Sequence, residues 1–256
     1  MSGIKIDINC DMGESYGRFK IGNDAEIFPF ISSCNIACGF HGGDPLHIED
    51  TIKQALKYKV AIGAHPSYPD LAGFGRRQMH LGNDELKALI KYQVSALKGM
   101  TESLGGKLTY VKPHGALYNS AAENIEEAQA ICESIKELDS SLMLMGLTGS
   151  PIETVAKDHD ISFIKEAFAD RRYTPNGRLM SRSLEGSVID NPEDAAKQVL
   201  DICINNKVCS SNGSWVPLKA DSVCIHGDNS NAVEILKAIR KMAEEEQILI
   251  ESIATK

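Results

Sequence analysis

The sequence has no apolar run that approaches the ~18 residues a membrane-spanning helix requires. Residues 1–5 contain neither an apolar h-region nor a small-residue cleavage site, so no secretory signal is visible. Low-complexity tracts and linkers rich in glycine, serine or proline are also lacking. We therefore expect a cytoplasmic protein without membrane contact, which folds as one domain over residues 1–256.

Paired cysteine motifs and basic clusters are lacking too. The seven cysteines form an odd set without a C-x-x-C pair, which favours free thiols in a reducing compartment over a disulfide framework. Asp and Glu (35) outnumber Lys and Arg (27), so the net charge is −8. This balance argues against nucleic acid as a partner, because phosphates need a positively charged face.

Three motifs of nucleotide binding and catalysis are absent. The string nearest to G-x-x-x-x-G-K-[ST] spans residues 99–108, but it has Thr101 where the first glycine is needed and Leu108 after the lysine. No G-x-G-x-x-G follows the first predicted strand, and no G-x-S-x-G is present. The chain therefore offers no standard site for ATP or NAD.

What the sequence does contain is an alternation of short apolar runs and stretches with a period near 3.6. Helix starts are marked by Asp44, Ser150 and Asn191, each a capping residue directly before proline. Strands that alternate with helices predict a parallel sheet with right-handed crossovers. The predicted strands are 4–9, 31–38, 60–65, 108–113, 142–147, 161–167 and 222–226.

Two segments do not fit this alternation. They are residues 17–30 and residues 170–188, and the second contains the turn signal Thr174-Pro175-Asn176-Gly177. Long loops of a compact domain are commonly lids or binding loops, with disorder as the alternative.

Polar side chains lie on or just after almost every predicted strand. They are Asp7, Asn9 and Asp11, then Asn35 and His41, then His65, then Lys112 and His114, then Glu166 and Asp170, and finally His226 and Asp228. A doubly wound sheet needs such residues only beside its switch point, whereas in a barrel all strand ends meet at one mouth. The pattern therefore favours a barrel with its site at the carboxyl ends of the strands.

The residue types at this mouth suit acid–base chemistry on an anionic ligand. Carboxylates and histidines can transfer protons, and lysine can stabilise an oxyanion. Arg76 and Arg77, in a glycine-rich loop, suit a carboxylate or a phosphate. A divalent metal is also possible, and its candidate ligands are Asp11, His41, Asp44 and His65, although their spacing is neither H-E-x-x-H nor that of a zinc finger.

Seven stretches along almost the whole chain resemble the LamB/YcsF family, that of the A subunit of bacterial 5-oxoprolinase. The matching stretches are 6–14, 35–45, 62–70, 73–77, 111–119, 166–171 and 226–228. Two small departures are Gly42 where alanine is expected and Ser67 where glycine is expected. Neither departure removes an ionisable side chain.

The resemblance implies a seven-stranded (β/α) barrel, similar to a TIM barrel and of the glycoside hydrolase and deacetylase type. It also implies the ATP-dependent opening of the lactam of 5-oxoproline to L-glutamate, performed together with separate subunits B and C. The missing phosphate loop is explained if ATP is bound mainly by those partner subunits.

We expect the site to be formed by two groups of residues. The candidates for catalysis are Asp11, His41, His65, Lys112, His114, Glu166 and Asp170. The candidates for substrate binding are Asn9, Arg76, Arg77, Tyr118, Arg171, His226 and Asp228. Within these groups, Arg76 or Arg77 would hold the substrate carboxylate, and Glu166 or Asp170 would position water.

Two alternative functions stay open at this point. The chain can be an autonomous metal-dependent amidase or deacetylase, since Asp and His are plentiful at the predicted mouth. It can also be a non-catalytic subunit that binds substrate for a partner. The sequence leaves self-association open as well.

Overall fold

Seven parallel strands close into a barrel in the computed structural model, which describes residues 3–182 and 184–254. In chain order the strands are β1 (Lys5–Met12), β2 (Ser33–Ala37), β3 (Ala61–His65), β4 (Leu108–Val111), β5 (Met143–Leu147), β6 (Phe163–Phe168), β7 (Lys207–Cys209), β8 (Trp215–Pro217), β9 (Ser222–Ile225) and β10 (Leu249–Ile250). Strands β1 to β6 and β9 form the barrel, which closes because β9 pairs with both β6 and β1. The predicted seven-stranded barrel is therefore confirmed.

Helices surround the barrel, as expected for strands that are joined by right-handed crossovers. They are α1 (Asp24–Ile27), α2 (Pro45–Tyr58), α3 (Asn83–Ser103), α4 (Gly115–Ala121), α5 (Ile125–Leu138), α6 (Pro151–Asp158), α7 (Pro192–Asn205) and α8 (Ala232–Glu245), with a 3₁₀ helix at Phe28–Phe30. The predicted apolar face of α2 is buried against the barrel through Ile48, Ile52 and Ala55. No helix within residues 3–182 and 184–254 is both long and apolar enough to cross a membrane.

Two of the three predicted helix caps are confirmed. The Asp44 side chain accepts from the backbone N–H groups of Leu46 and His47, and Asn191 accepts from that of Asp194. Ser150 does precede the first residue of α6, as predicted, but its hydroxyl donates to the carbonyl oxygen of Leu147 at 2.5 Å, so the predicted capping by its side chain is wrong.

Several elements were not predicted. Strands β7 and β8 form an antiparallel hairpin before the last barrel strand, and β10 pairs with Lys5 and Ile6 at the start of β1. Helix α4 lies between β4 and the predicted helix α5. Residues 17–30 contain the short helix α1, whereas residues 170–188 include neither a helix nor a strand in their described part.

The interior of the barrel is largely polar, although its outer surface packs on apolar helix faces. Asp7 of β1 accepts from the hydroxyls of Ser32 (2.6 Å), Ser33 (2.7 Å) and Ser222. Burial raises the pKa of Asp7 in spite of these hydrogen bonds. Such an interior is held in place only if its polar groups satisfy one another.

One glycine makes room for an aromatic ring in this interior. A Cβ atom on Gly63 of β3 would lie 2.2 Å from the Tyr110 ring of the neighbouring strand β4. The Tyr110 hydroxyl donates within the barrel to Oδ1 of Asn35 at 2.7 Å. Because position 63 of β3 has no side chain, the Tyr110 side chain of β4 can pass over β3 and reach β2.

Candidate active site

A cavity of about 720 Å³ lies at the carboxyl ends of the barrel strands. Its floor, which we call the cavity floor, consists of Asp11, Glu14, His65, Lys112 and His114. One side, which we call the arginine wall, consists of Arg76, Arg171, Arg178 and Arg182. Nine of the fourteen residues predicted for the site line the cavity: Asp11, His65, Arg76, Lys112, His114, Tyr118, Arg171, His226 and Asp228.

Lys112, just after β4, is the central cation of the cavity floor. Its Nζ lies 2.9 Å from Oδ1 of Asp11 and 2.8 Å from Oε1 of Glu166, and its side chain is 3% exposed. Burial alone would lower the pKa of Lys112, but the pairing with Asp11 raises it well above its usual range. Lys112 therefore stays charged and holds two carboxylates in fixed positions.

Asp11, near the end of β1, contacts both Lys112 and a histidine. Its Oδ2 lies 3.3 Å from Nε2 of His65, and the Asn35 side chain donates to Oδ1 at 2.8 Å. Burial alone would raise the pKa of Asp11, but His65 and Lys112 hold it well below its usual range. The Asp11 carboxylate is thus ionised. It is therefore better suited to bind a metal ion or to stabilise positive charge than to act as a general base.

The contacts of His65 and His114 fix the hydrogen on each ring. Nδ1 of His65 lies 2.7 Å from the carbonyl oxygen of Lys112, and Nε2 of His114 lies 2.9 Å from that of Phe74. Because carbonyl oxygens only accept, both of these nitrogens carry a hydrogen. The two remaining nitrogens, Nε2 of His65 and Nδ1 of His114, face each other at 3.0 Å.

His41 lies under His114 rather than in the cavity. The two rings stack in parallel with 3.6 Å between their centroids, and Nε2 of His41 lies 3.1 Å from Oε1 of Glu14. Burial, and then the neighbouring His114, lowers the pKa of His41 well below its usual range. His41 is therefore a neutral ring that positions His114 and Glu14.

Glu14 was not among the predicted site residues, although it lines the cavity. It follows the end of β1 at Met12 after a turn at Gly13, whose φ is +71°. Burial, and then the charge of Asp11, raises the pKa of Glu14 well above its usual range. The rule that placed polar residues at strand ends applies to Glu14 too, so the sequence held the signal for it.

Four side chains of this region can hold a metal ion. One ligand atom each from Glu14, His41, His65 and His114 lies within 4.8 Å of the others. The facing lone pairs of His65 and His114 need a proton or a cation between them, and the N–H groups on the far side donate to carbonyl oxygens, as metal-bound histidines commonly do. The residues therefore fit a divalent metal.

Asp44, a predicted metal ligand, does not belong to this cluster. Its side chain caps α2, accepts from the backbone N–H of Gly17 at 2.7 Å, and lies 2.5 Å from Nδ1 of His47. Both carboxylate oxygens are thus bound by local partners. The sequence predicted two roles for Asp44, a helix cap and a metal ligand. The structure contains the helix cap.

A glycine lets the loop after β3 approach the histidines. Gly75 has a φ of +64°, and a Cβ atom there would lie 2.8 Å from Cδ2 of His114 and 2.9 Å from Cβ of His41. The same loop provides the Phe74 carbonyl oxygen that binds His114. Glycine at position 75 therefore allows the backbone itself to orient the His114 ring.

The two adjacent arginines of this loop point in different directions. Nη2 of Arg76 lies 2.5 Å from Oδ2 of Asp228, at the rim of the cavity. The Arg77 side chain is 68% exposed, pairs with Asp70 and does not line the cavity. The prediction that Arg76 or Arg77 holds the ligand is thereby narrowed to Arg76.

Arg171, Arg178 and Arg182 belong to the irregular segment 170–188. Nη1 of Arg182 lies 3.9 Å from Oδ2 of Asp228, which Arg76 also binds. Arg171 was predicted from the sequence, whereas Arg178 and Arg182 were missed because the only signal read in this loop beyond residue 171 was the turn at 174–177. The segment does line the cavity, as expected for a binding loop.

His226 also lines the cavity and is oriented by Asp170. Nδ1 of His226 lies 2.9 Å from Oδ1 of Asp170, and its ring stacks on Phe168 with 5.4 Å between centroids. Burial would raise the pKa of Asp170, but His226 lowers it below its usual value. Asp170 is buried and outside the cavity, so it positions His226 and does not reach a ligand.

Asn9 and Glu166 also lie beneath the cavity instead of lining it. Asn9 donates to Oε1 of Glu166 at 3.0 Å and to the Ser222 hydroxyl at 2.8 Å, and it accepts from Asn35 at 2.7 Å. The expectations that Asn9 binds substrate and that Glu166 or Asp170 positions water are not met by this geometry. Asn9 and Glu166 support the cavity floor through Lys112, and Asp170 supports His226.

The arrangement combines a buried acid–base cluster with a cationic side wall. Such a cavity can bind an anionic ligand and transfer protons at a carbonyl group that reaches the floor.

Comparison with known protein families identifies the family of this chain. The model of the LamB/YcsF family matches residues 6–256. The chain belongs to this family.

Two relatives of this LamB/YcsF chain extend the comparison. A protein from Acinetobacter baylyi, named as the A subunit of 5-oxoprolinase, is 50% identical over 249 residues, which cover 97% of this chain and 98% of that protein. The crystal structure of a lactam utilization protein from Thermus thermophilus has a TM-score of 0.93 and 42% identity, and the match covers 98% of this chain and 100% of that one.

A more distant structure bears on the fold alone. The peptidoglycan deacetylase PdaC from Bacillus subtilis matches with a TM-score of 0.50 and 11% identity, over 98% of this chain and 89% of that one. The predicted barrel type, which includes deacetylases, is confirmed by this likeness.

Proposed function

We propose that this chain is the A subunit of a 5-oxoprolinase, which opens the lactam of 5-oxoproline to L-glutamate with the help of ATP and of subunits B and C. The observation that carries the proposal is the buried cavity floor of Asp11, Glu14, His65, Lys112 and His114 beside the arginine wall. The names of the A. baylyi and T. thermophilus relatives support the same substrate class.

The substrate has one carboxylate and one lactam, and the cavity offers a place for each. Arg76 is half-exposed at the rim, so its guanidinium can bind the carboxylate in the bidentate manner that arginine favours. The lactam ring then lies toward His65 and His114. Tyr118, which borders the same cavity next to Glu166, closes the site on the side of α4.

The floor residues supply proton transfer and charge stabilisation. The two facing nitrogens, Nε2 of His65 and Nδ1 of His114, can accept a proton from the attacking water and pass it to the ring nitrogen as the C–N bond breaks. The Lys112 ammonium stabilises negative charge that develops on the carbonyl oxygen. Glu14 borders the cavity and takes the water-positioning role that we first expected of Glu166 or Asp170.

In this proposal ATP activates the amide carbonyl of the lactam, and the ATP is bound mainly by the partner subunits. A lactam of this size is a resonance-stabilised amide with little ring strain, so its hydrolysis needs carbonyl activation. The chain has no phosphate-binding loop of the standard kind. Relatives of nearly equal length are named as one subunit of the enzyme, which supports a complex in which other chains bring the nucleotide.

The test is reconstitution of the chain with its B and C subunits and measurement of glutamate release with and without ATP. We expect ATP-dependent release, and a loss of about 10³-fold or more in kcat/KM for Asp11→Asn, with Asp158→Asn on the surface of α6 as the matched control. Full turnover by Asp11→Asn would instead make the chain a substrate-binding subunit without a catalytic role.

A second candidate, a metal-dependent amidase that acts alone, is favoured by the converging ligand atoms of Glu14, His41, His65 and His114. A metal held there would polarise the amide carbonyl and lower the pKa of water. Elemental analysis of the purified chain and an ATP-free hydrolysis assay before and after chelation separate the two functions. Bound metal with chelator-sensitive activity of the isolated chain would favour the amidase.

A further inference from the structure

The arginine wall has more positive charge than one small carboxylate requires. Arg76 and Arg182 share a single carboxylate, that of Asp228, and Arg171 has no carboxylate within ion-pair distance among the described residues. The carboxylate beside Arg171 in sequence, that of Asp170, is bound to His226. Several guanidinium groups thus face one cavity with one acidic partner between them.

Arg171 carries the strongest sign of a missing ligand. It is 6% exposed, yet its Nε has no hydrogen-bond partner in the described structure, and its Nη2 donates only to the carbonyl oxygen of Met180. Burial, and then the nearby charge of Arg182, lowers the pKa of Arg171 to about 10. A buried guanidinium is costly without an anion, and several hydrogen-bond donors at one place match the oxygens of a phosphoryl group.

The size of the cavity points the same way. Its volume of about 720 Å³ lies in the range of about 300–1,000 Å³ that takes drug-sized ligands. 5-Oxoproline has only about nine non-hydrogen atoms, so it leaves space beside the arginine wall after its carboxylate has bound at Arg76.

We infer that the arginine wall binds a phosphoryl group through Arg171, Arg178 and Arg182, while Arg76 binds the carboxylate of the lactam. This inference rests on the proposed function, because it places the phosphoryl group next to the lactam site. The group can belong to a nucleotide or to a phosphorylated small molecule, and both present the same oxygens to the wall.

The experiment is calorimetric titration of the full chain with inorganic phosphate, pyrophosphate, ATP and 5-oxoproline. We expect pyrophosphate and ATP to bind, and Arg178→Gln and Arg182→Gln each to weaken that binding by about tenfold. For Arg178→Gln, which has no ion-pair partner in common with Arg76 among the described residues, affinity for 5-oxoproline should change by less than about threefold. Arg172→Gln is the charge-matched control, since that exposed side chain does not line the cavity.

The outcomes separate the sources and the two proposals. Binding of ATP much tighter than that of pyrophosphate assigns the group to a nucleotide, whereas equal affinities assign it to a phosphorylated small molecule. Pyrophosphate or ATP binding that both arginine variants leave unchanged would overturn the inference, and so would no binding of either. If 5-oxoproline fails to bind but pyrophosphate binds as expected, the proposed function fails and the phosphoryl site stands.

Discussion

On the cavity floor the charged side chains bind one another, whereas on the arginine wall they have few protein partners. Lys112 is held by Asp11 and Glu166, and His65 by Asp11 and a backbone carbonyl. Arg171, in contrast, is buried with an unpartnered Nε. Charges that are already paired are held in place before any ligand arrives, so under the proposed function we expect the floor to serve the chemistry and the wall to serve binding.

The largest effect should come from removing the cation of the floor. Lys112→Met leaves Asp11 and Glu166 buried without their partner, so we expect a loss of about 3–5 kcal/mol in the free energy of unfolding. We also expect the variant to lose its activity. Urea denaturation measures the loss of stability. The control is Lys165→Met on β6, whose half-exposed pair with Glu153 should contribute less than about 1 kcal/mol. Equal losses would contradict a floor held by Lys112.

Gly75→Ala tests the border between the floor and the wall. A Cβ at this position meets His114 and His41 and forces a left-handed conformation on alanine, so we expect at least about a 100-fold loss of kcat/KM. Gly17→Ala is the control for conformational strain, since Gly17 also has a positive φ, +56°, but no atom within 4 Å of its Cβ position. Similar kinetics for the two variants would show that contact with the histidines is unimportant.

Arg76→Gln should affect binding without affecting the floor. Because the charge that receives the substrate carboxylate is lost, KM for 5-oxoproline should rise by about 10–100-fold, while the melting temperature stays within about 2 °C. Steady-state kinetics of the complex and thermal unfolding measure both. Its neighbour Arg77, which pairs with Asp70 outside the cavity, provides the control Arg77→Gln. A matching rise in KM for Arg77→Gln would refute the assignment.

The smallest effect is expected deep in the barrel. The Tyr110 hydroxyl donates to Asn35 at 2.7 Å, and Asn35 in turn donates to Asp11. Tyr110→Phe removes this hydroxyl, so we expect a loss of about 1.5 kcal/mol in the free energy of unfolding. Activity should fall only a few-fold, and thermal unfolding beside an activity assay measures both. The control is Tyr92→Phe on the surface of α3. A loss of stability of similar size in this variant would mean that the hydrogen bond from Tyr110 to Asn35 contributes nothing specific.

The barrel was predictable because alternating strands and helices leave a periodic signal, and the site because strand ends meet at one mouth. Elements of two or three residues, such as β7, β8 and β10, leave no such signal. Strand β1 continues to Met12 since its last residues pair with β2, a partner that local sequence does not reveal.

Individual roles were harder to predict than the place of the site. Asp44 and Ser150 have side chains that fit several local partners, and the residue type alone does not say which partner is bound. Asn9, Glu166 and Asp170 were correctly placed at strands β1 and β6 or just beyond, but depth within the barrel, which no sequence pattern encodes, keeps them from the cavity. The arginines at 178 and 182 come from an irregular loop whose path is set by the rest of the fold.

The pairing of β1 has a consequence for the order in which the molecule forms during synthesis. Asp7 of β1 binds Ser222, 215 residues further along the chain, and the start of β1 pairs with β10. Strand β1 is thus synthesised long before two of its partners, Ser222 and β10. Contacts of such sequence separation slow folding, and the barrel can close only after β9 has been synthesised.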